Sequence, residues 1–283
     1  MDVETWSYGT VRELYLEYAL RTGPYTMQSD HFHPYYEIYY LLAGSRIYFV
    51  GDRTYPVEPG DLVFISPNVL HKTLQPAAPG HERFVIHFDD GYALGRFGAH
   101  AELLLSPFRQ ASPVLRLPLA ERREADRTVR RMIDELRRKQ PGFELVPPAG
   151  VADLLLLAGR YVREFPPAAE DEDRSPKLAK ISEVVRYINA HFGEPLKLGE
   201  LAERFYISPS HLSRTFKEVT GFAFSDYVSL TRVKEAQRLL RDTDRSIADI
   251  AVATGFDNFS HFGKTFKKIA HRSPRDFRKE SRL

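Results

Sequence analysis

The chain contains no cysteine, one tryptophan and only three methionines among its 283 residues. Without cysteine there can be no disulfides, thiolate metal sites or thiol nucleophiles, and the absence is typical of a protein that works in a reducing cytoplasm. The run VADLLLLAGRYV (151–162) is apolar but is too short to cross a bilayer and is interrupted by charge, so we expect no membrane partner. The first ten residues, MDVETWSYGT, carry acidic side chains and no apolar stretch, which does not predict a secretory signal.

Charge is unevenly divided along the chain. The total is 40 Lys and Arg against 38 Asp and Glu, but residues 177–283 hold 20 basic and 13 acidic residues. A basic half is typical of nucleic-acid binding. The composition, 43% hydrophobic and 28% charged, is that of a globular protein, and the length favours two domains.

The residue pattern divides the chain into segments. Residues from about 8 to 95 hold short strand-like segments, such as EIYYLLAG and ERFVIHF, between Gly and Pro turns, which predicts a sandwich or small barrel. Two amphipathic helices are predicted within about 98–165, and the first has an apolar stripe of Leu119, Ala125, Val129, Met132, Ile133 and Leu136. These helices either close their own barrel or pair with the same helices of a second subunit. Both alternatives stay open, and we expect a homodimer. The acidic, proline-containing segment 166–176 is predicted to be a linker before the domain 177–283.

The second domain contains an internal repeat. RTFKEV (214–219) recurs as KTFKKI (264–269), and LAERFYISPSHL parallels IAVATGFDNFSHF with one extra residue. Ser208 and Asn258 predict helix N-caps, and Gly255 predicts a left-handed turn residue. Each copy therefore predicts helix, tight turn, helix, and a long helix over FSDYVSLTRVKEAQRLLRDT joins the two copies.

The second helix of each copy carries polar side chains on its outer face. A helix fits the major groove of DNA, where short polar side chains with Arg and Lys read base edges. We predict contacts to double-stranded DNA from Ser210, His211, Ser213, Arg214, Lys217, Asn258, Ser260, His261 and Lys264. The alternative is an all-helical domain with solvated charges, which two copies with shared caps and spacing disfavour.

Residues from about 180 to 280 resemble the DNA-binding domain of the AraC/XylS-type transcription regulators. The resemblance lies in LAERFYISPSHLSRTFKEVTGFAFSDYVSLTRVKEAQRLLRDT and SIADIAVATGFDNFSHFGKTFKKIAHRSPRDFRK. It implies two helix-turn-helix units around a connecting helix, with DNA read by 210–217 and 258–264, and RNA polymerase as a partner if the protein activates transcription. Two positions depart from the pattern: Tyr206 stands where the second copy has Gly255, and Gly263 leaves the second reading helix short of base-reading side chains.

The stretch HFHPYYEIYY (31–40) places polar side chains at odd-numbered positions. Residues of one parity face one side of a strand, so one strand would point His31, His33 and Glu37 into a barrel. With Gly44 and His71, the pattern resembles the motifs of the cupin barrel family. That resemblance implies His31, His33, Glu37 and His71 as ligands of a divalent metal such as Ni, Zn, Mn or Fe. Position 25 departs from the motif, because it is Tyr instead of Gly.

Three hypotheses stay open for this cupin-like domain. We favour a metal-free pocket for a small-molecule effector, because a sensor needs differential ligand affinity and no reaction. The alternatives are a metal-assisted sensor and a polar interior with the effector elsewhere. Tyrosines favour a saccharide or sugar-like effector, whereas Arg46 and the histidines would also suit a carboxylate. The predicted effector residues are His31, His33, Tyr35, Glu37, Tyr39, Arg46, Tyr48 and His71, and His87 is predicted to be a core or rim histidine.

The sequence therefore predicts an α+β protein of two domains. Residues 1–165 form a cupin-like β-barrel with C-terminal helices, and 177–283 form an all-α domain of two helix-turn-helix motifs. The predicted function is that of a cytoplasmic, effector-responsive transcription regulator with no catalytic residues and no cofactor. The alternatives are a metal-dependent cupin enzyme with a helical appendage, and a constitutive DNA-binding protein whose barrel only dimerises.

Overall fold

The computed structural model describes residues 3–25, 27, 32–74, 80–166 and 175–281. The chain divides into two compact units, Met1–Asp171 and Glu172–Leu283. Strands dominate the first unit and helices make up the second throughout the described ranges, which confirms the two-domain α+β fold class. The predicted linker lies largely outside the description, because residues 167–174 are not among the described ones.

The described strands of the first unit form two antiparallel sheets. The larger has the order β1-β2-β8-β3-β6-β9 and the smaller the order β5-β4-β7. Their bounds are β1 Val3–Tyr8, β2 Tyr15–Arg21, β3 Tyr36–Gly44, β4 Arg46–Val50, β5 Arg53–Val57, β6 Leu62–Ile65, β7 His71–Leu74, β8 His81–Phe88 and β9 Val114–Leu115.

Alternating side chains of the larger sheet build two separate cores. On β3, the even-numbered Ile38 and Tyr40 join the helix-facing core, whereas the odd-numbered Tyr39 and Leu41 join the core shared with the smaller sheet. This alternation follows from the two-residue period of a strand. The larger sheet is thus covered on one face by helices and on the other by the smaller sheet, and the odd-numbered positions of β3 face the interior between the sheets.

Four helices follow β8 in the first unit. They are α1 Asp90–Phe97, α2 Ala101–Leu104, α3 Leu119–Arg138 and α4 Val146–Glu164. The apolar stripe predicted for α3 is buried from Ala125 to Leu136, and it packs in the same core as the larger sheet. Leu119 is an exception: it is 55% exposed, because it is the first residue of the helix. Within this chain the helices therefore cover their own sheet.

One helical segment, Phe143–Glu164, is long and apolar enough to cross a membrane by length and composition, with a mean hydropathy of 1.3. It includes α4, whose residues Val151, Leu154, Leu155 and Ala158 are at most 1% exposed and belong to the helix-facing core. This burial is what a core helix of a globular domain shows.

The second unit contains seven described helices. They are α5 Pro176–His191, α6 Leu198–Arg204, α7 Pro209–Thr220, α8 Phe224–Asp242, α9 Ile247–Ala253, α10 Phe259–Ala270 and α11 Pro274–Glu280. The predicted repeat is confirmed residue by residue. Helices α7 and α10 have twelve residues each and begin fifty positions apart, while α6 and α9 begin 49 positions apart, so the second turn holds the extra residue.

Several elements were not expected from the sequence. β1, β7 and the two-residue β9 were not predicted, and the helical part begins at Asp90 instead of about 98. Asp89 explains the earlier start, because its side chain accepts a hydrogen bond from the Tyr92 backbone N–H and so caps α1. β3 begins only at Tyr36, so His33 and Tyr35 lie in the loop before the strand and not on it.

Candidate effector pocket and nucleic-acid interface

A cavity of about 200 Å³ lies between the two sheets of the first unit. The larger sheet contributes side chains from β2, β3 and β8, and the smaller sheet contributes side chains from β4 and β7. Its lining residues are Glu17, Arg21, Tyr25, Met27, Glu37, Tyr39, Tyr48, Thr73, Arg83, Val85 and His87. The volume is below the 300–1,000 Å³ typical of drug-sized sites and suits a small metabolite.

Glu37 is the centre of a buried polar cluster at this cavity. Its Oε2 lies 2.9 Å from His87 Nε2, 3.2 Å from His33 Nε2 and 3.6 Å from His71 Nε2. Its Oε1 accepts a hydrogen bond from the Tyr48 hydroxyl at 3.1 Å. Strand pairing explains one of these contacts, because Glu37 and His87 stand directly opposite each other on β3 and β8.

Burial and the surrounding groups perturb this cluster electrostatically. Burial alone raises the pKa of Glu37, but the positive charge that His71 carries when protonated and the polar contacts with the three histidines outweigh burial and hold that pKa well below its usual value. Burial lowers the pKa of His33, which Glu37 only partly restores. The Glu37 carboxylate is therefore ionised inside the barrel.

Positive charge gathers at another side of the cavity. Arg21 and Arg83 line it, and Arg46 is 2% exposed close by. Burial, followed by the charges of Arg46, Arg83 and Arg21, lowers the pKa of His81 to about 3. Arg83 is paired with Glu17, and the Arg21 guanidinium stacks on the Tyr25 ring at 3.7 Å.

Tyr39 offers an unused polar group to the cavity. Its side chain is 2% exposed, and its hydroxyl has no hydrogen-bond partner among the described residues. Burial raises the pKa of Tyr39 to about 12, so the hydroxyl keeps its proton and can donate. Because a buried unpaired hydroxyl is costly, this atom marks a place where a ligand could supply an acceptor.

The predicted effector residues that the structure describes divide into three groups. Glu37, Tyr39 and Tyr48 line the cavity, while His33 and His71 reach it through Glu37. Tyr35 and Arg46 are not lining residues: Tyr35 stacks on His33 at 3.8 Å, and Arg46 lies 5.8 Å from the Tyr25 ring. His31 lies outside the described residues.

The sequence reasoning assigned His87 to the core or the rim and not to the ligands. It lines the cavity and contacts Glu37. Glu17, Arg21, Tyr25 and Arg83 were also missed as lining residues. Arg83, Val85 and His87 share odd parity, so the sequence indicates that they face the same side of a strand. It does not show which residues of β3 lie opposite them, because that depends on strand pairing across some fifty positions.

The candidate nucleic-acid interface consists of the outer faces of α7 and α10. All nine residues predicted to contact DNA are exposed, while Leu212, Phe216, Phe262 and Phe266 on the opposite faces are fully buried. The predicted caps are confirmed, because Ser208 and Asn258 each accept from the backbone N–H of the residue three positions on, His211 or His261. The Asn258 carbonyl oxygen is therefore already engaged within the helix end.

The two helix-turn-helix turns share one backbone geometry. Ile207 N–H donates to Ala202 O and Phe256 N–H donates to Ala251 O, which closes the end of α6 and of α9 in the same way. The residue in the left-handed conformation is Tyr206 in the first turn, with φ +56°, and Gly255 in the second, with φ +83°. Tyr206 thus adopts the conformation that glycine adopts in the second copy.

Two family models match this chain. One describes an AraC-like ligand binding domain and matches residues 15–146, and the other describes a helix-turn-helix domain and matches residues 201–280. The chain belongs to the AraC family of transcription regulators. The family assignment confirms the expectation of a regulator over the metalloenzyme alternative, and it assigns the first unit to a ligand-binding domain.

Two curated relatives and one solved structure are similar to this chain or to part of it. The chain is 27% identical over 254 residues to the uncharacterized HTH-type transcriptional regulator YfiF of Bacillus subtilis. The match spans 88% of this chain and 78% of that protein. It is 41% identical over 99 residues to an uncharacterized HTH-type transcriptional regulator of Staphylococcus aureus, where the match spans 35% of this chain and 13% of the relative. The C-terminal domain of AraT, a response regulator from Geobacillus stearothermophilus, is 33% identical over 38% of this chain and 88% of its own, with a TM-score of 0.36.

Proposed function

We propose that this AraC family member is a sequence-specific DNA-binding regulator whose DNA affinity is set by a small effector in the cavity between the sheets. The observation that carries the DNA-binding part is the repeat. Two twelve-residue helices, α7 and α10, are capped at their N-termini in the same way, and each turns a polar face outward from a buried, largely apolar face. They flank α8, which has 19 residues and a length of about 28 Å at 1.5 Å per residue.

In vitro selection with the full chain tests the DNA-binding part. A pool of random duplexes incubated with the protein should yield an enriched sequence, because a reading helix distinguishes base pairs in the major groove. The enriched site should bind at least about a thousandfold more tightly than a scrambled duplex at the same salt concentration. Selection that returns no enriched sequence would refute a sequence-specific regulator.

For the effector, we propose a sugar-sized polar metabolite that carries an acid group. Tyr25, Tyr39 and Tyr48 line the cavity and supply hydroxyls and ring faces, which supports the saccharide expected from the sequence. Arg21 and Arg83 line it as well, with Arg46 beside them. Guanidinium groups bind carboxylates through paired hydrogen bonds, so these residues support an acidic sugar over a neutral one.

Matched pairs of ligands distinguish an acidic sugar from a neutral sugar as the effector. Hexoses and the corresponding hexuronates differ at one carbon, so thermal shift and calorimetry with both series measure the contribution of the acid group alone. We expect a hexuronate to bind more tightly than its hexose and to change the affinity for the selected DNA. Equal affinity for the hexose and the hexuronate would contradict an acidic effector. Ligand binding that leaves the affinity for the selected DNA unchanged would contradict the sensor role.

The proposal includes a homodimer in the cytoplasm, and RNA polymerase as a further partner if transcription is activated. Leu145 and Phe165, at the two ends of α4, are 73% and 55% exposed and would suit a subunit contact. The absence of cysteine supports a reducing compartment. Analytical ultracentrifugation at several concentrations measures the stoichiometry, and a monomer at every concentration would exclude the dimer.

A further inference from the structure

Three imidazole rings from different parts of the chain converge on one carboxylate oxygen. His33 comes from the loop before β3, His71 from β7 of the smaller sheet and His87 from β8 of the larger sheet. Their Nε2 atoms lie 3.2, 3.6 and 2.9 Å from Glu37 Oε2. Glu37, His33 and His71 are all at most 5% exposed, and the His87 side chain is 12% exposed, so the cluster is largely shielded from bulk solvent.

Backbone contacts fix the tautomers of two of these histidines. His33 Nδ1 lies 2.9 Å from the Tyr35 carbonyl oxygen, and His71 Nδ1 lies 2.9 Å from the Val69 carbonyl oxygen. A carbonyl oxygen only accepts, so each Nδ1 must carry the hydrogen. In a neutral imidazole Nε2 then holds a lone pair, and both lone pairs face the Glu37 carboxylate, which also has no hydrogen to donate.

Lone pairs and a carboxylate repel one another unless something positive lies between them. A second proton on only one of His33 and His71 would balance the charge of Glu37 but would leave the other lone pair directed at the carboxylate, and second protons on both would leave uncompensated charge in the interior. A metal cation satisfies all of these groups at once. Imidazole ligands whose other nitrogen donates to a backbone carbonyl are the usual arrangement around a protein-bound metal.

The distances also fit a metal. Bonds of about 2.0–2.1 Å from a four-coordinate ion to nitrogen and oxygen place neighbouring ligand atoms about 3.3 Å apart. The three N···O distances, from 2.9 to 3.6 Å, bracket that value. The candidate ligand atoms of His33, Glu37 and His87 all lie within 4.8 Å of one another.

We propose that His33, Glu37, His71 and His87 bind one divalent first-row transition metal ion of the zinc, iron or nickel type. Three nitrogen donors and one oxygen select such ions over magnesium or calcium, which prefer oxygen ligands. This donor set differs from the one that the cupin resemblance implies, because His87 of β8 takes part and His31 is not needed. It takes up the metal-bound alternative that the sequence left open.

Tyr48 has a separate role as a positioning residue. Its hydroxyl donates to Glu37 Oε1, which leaves Oε2 directed at the three histidines. Tyr48 also lines the cavity, so the same hydrogen bond joins the metal ligands to the proposed effector site. Loss of such a supporting hydrogen bond typically weakens metal binding about 10- to 100-fold.

Metal titration of the full chain tests this proposal. Protein purified without an affinity tag is stripped with a chelator, dialysed and titrated with Zn²⁺ and with Co²⁺, whose visible spectrum reports coordination. We expect one equivalent to bind and the melting temperature to rise. His87→Ala should abolish the Co²⁺ spectrum, and His100→Ala, an exposed histidine outside the cluster, should match the wild type.

Two further variants keep the result interpretable. Tyr48→Phe retains all four ligands and should bind the metal about 10- to 100-fold more weakly with an unchanged fold. Glu37→Gln keeps the shape of the side chain but removes its charge, and it should lose stoichiometric binding. If the stripped protein takes up no metal, or if His87→Ala binds as the wild type does, the proposal is wrong. Neither measurement involves DNA or effector, so this outcome is independent of the proposed function.

Discussion

The hydroxyl of Tyr39 is a buried donor without a partner among the described residues, and it faces the cavity. Tyr39→Phe removes only that hydroxyl. Without effector, we expect the variant to be more stable by about 1 kcal/mol, because an unpaired buried polar group is lost. With effector, affinity should fall by about 0.5–1.5 kcal/mol, which is roughly two- to twelvefold.

Chemical unfolding and calorimetry measure these two effects separately. Tyr40→Phe is a matched control on the same strand, because the Tyr40 hydroxyl lies on the helix side and donates to Asp126. It should leave effector affinity unchanged. A Tyr39→Phe protein that is less stable without effector would show that the hydroxyl is satisfied in the free protein.

Arg214 lies exposed on α7 and is the candidate for base reading. A bidentate contact to guanine is worth about 1–3 kcal/mol of discrimination. Arg214→Ala should therefore weaken binding to the selected site and leave binding to scrambled duplex nearly unchanged. Equal losses on both duplexes would assign Arg214 to the phosphate backbone.

Lys217 is expected to contact phosphate. Lys217→Ala should weaken both duplexes alike and lower the slope of log K against log salt by about one. Lys180→Ala on α5, a half-buried lysine that pairs with Glu183, serves as the control and should leave that slope unchanged.

The role of a single residue could be predicted from the sequence when its partner lies only a few positions away along the chain. Ser208 and Asn258 were identified as caps because a cap acts on a backbone group three residues away. The contact of His87 with Glu37 was not apparent from the sequence, because the two residues are fifty positions apart and only the pairing of β3 with β8 brings them together. Arg21, Arg83 and Tyr25 were missed for the same reason.

At the scale of elements, the turn between α6 and α7 carries strain that the turn between α9 and α10 avoids. A residue with a side chain in the left-handed region costs about 1–2 kcal/mol relative to glycine, which in turn loses more entropy on folding. Tyr206→Gly should therefore stabilise the protein by about 0.5 kcal/mol, as measured by denaturant unfolding.

The matched substitutions distinguish backbone strain from side-chain effects. The Tyr206 side chain is 96% exposed, so Tyr206→Ala should change stability little. Gly255→Ala should destabilise, because its added Cβ would lie 2.6 Å from the Phe192 carbonyl oxygen and 2.9 Å from the Arg232 guanidinium. If Tyr206→Gly and Tyr206→Ala have the same effect, left-handed strain is not the cause.

Element types were more predictable than their partners. The helices were visible because their apolar stripes and caps recur at helical spacing, as in α3, α7 and α10. β7, four residues from His71 to Leu74, was missed because so short a segment shows no alternation of its own and is held by pairing with β4. The order of strands in the two sheets depends on such pairings and was not predicted.

For the whole molecule, the basic half predicts a strong salt dependence. The second unit has its own buried core, including Leu212, Phe216, Phe262 and Phe266, so residues 172–283 should fold alone. We expect this unit and the full chain to bind the selected DNA with log K falling linearly as log salt rises, by about 0.9 per phosphate contacted. Fluorescence anisotropy over a salt series measures the slope, and affinity independent of salt would contradict a phosphate-contacting interface.

The outer faces of α7 and α10 differ, so the two halves of a natural binding site should differ in how strictly their base sequence is constrained. Both helices present a histidine, His211 or His261, but Gly263 stands where α7 has Ser213, and Lys264 stands where α7 has Arg214, whose guanidinium can make a bidentate contact to guanine. In aligned natural sites we therefore expect high information content in the positions under α7 and low information content under α10. Promoters could then diverge under α10 to tune the strength of their response, while the segment under α7 stays nearly invariant across the regulon.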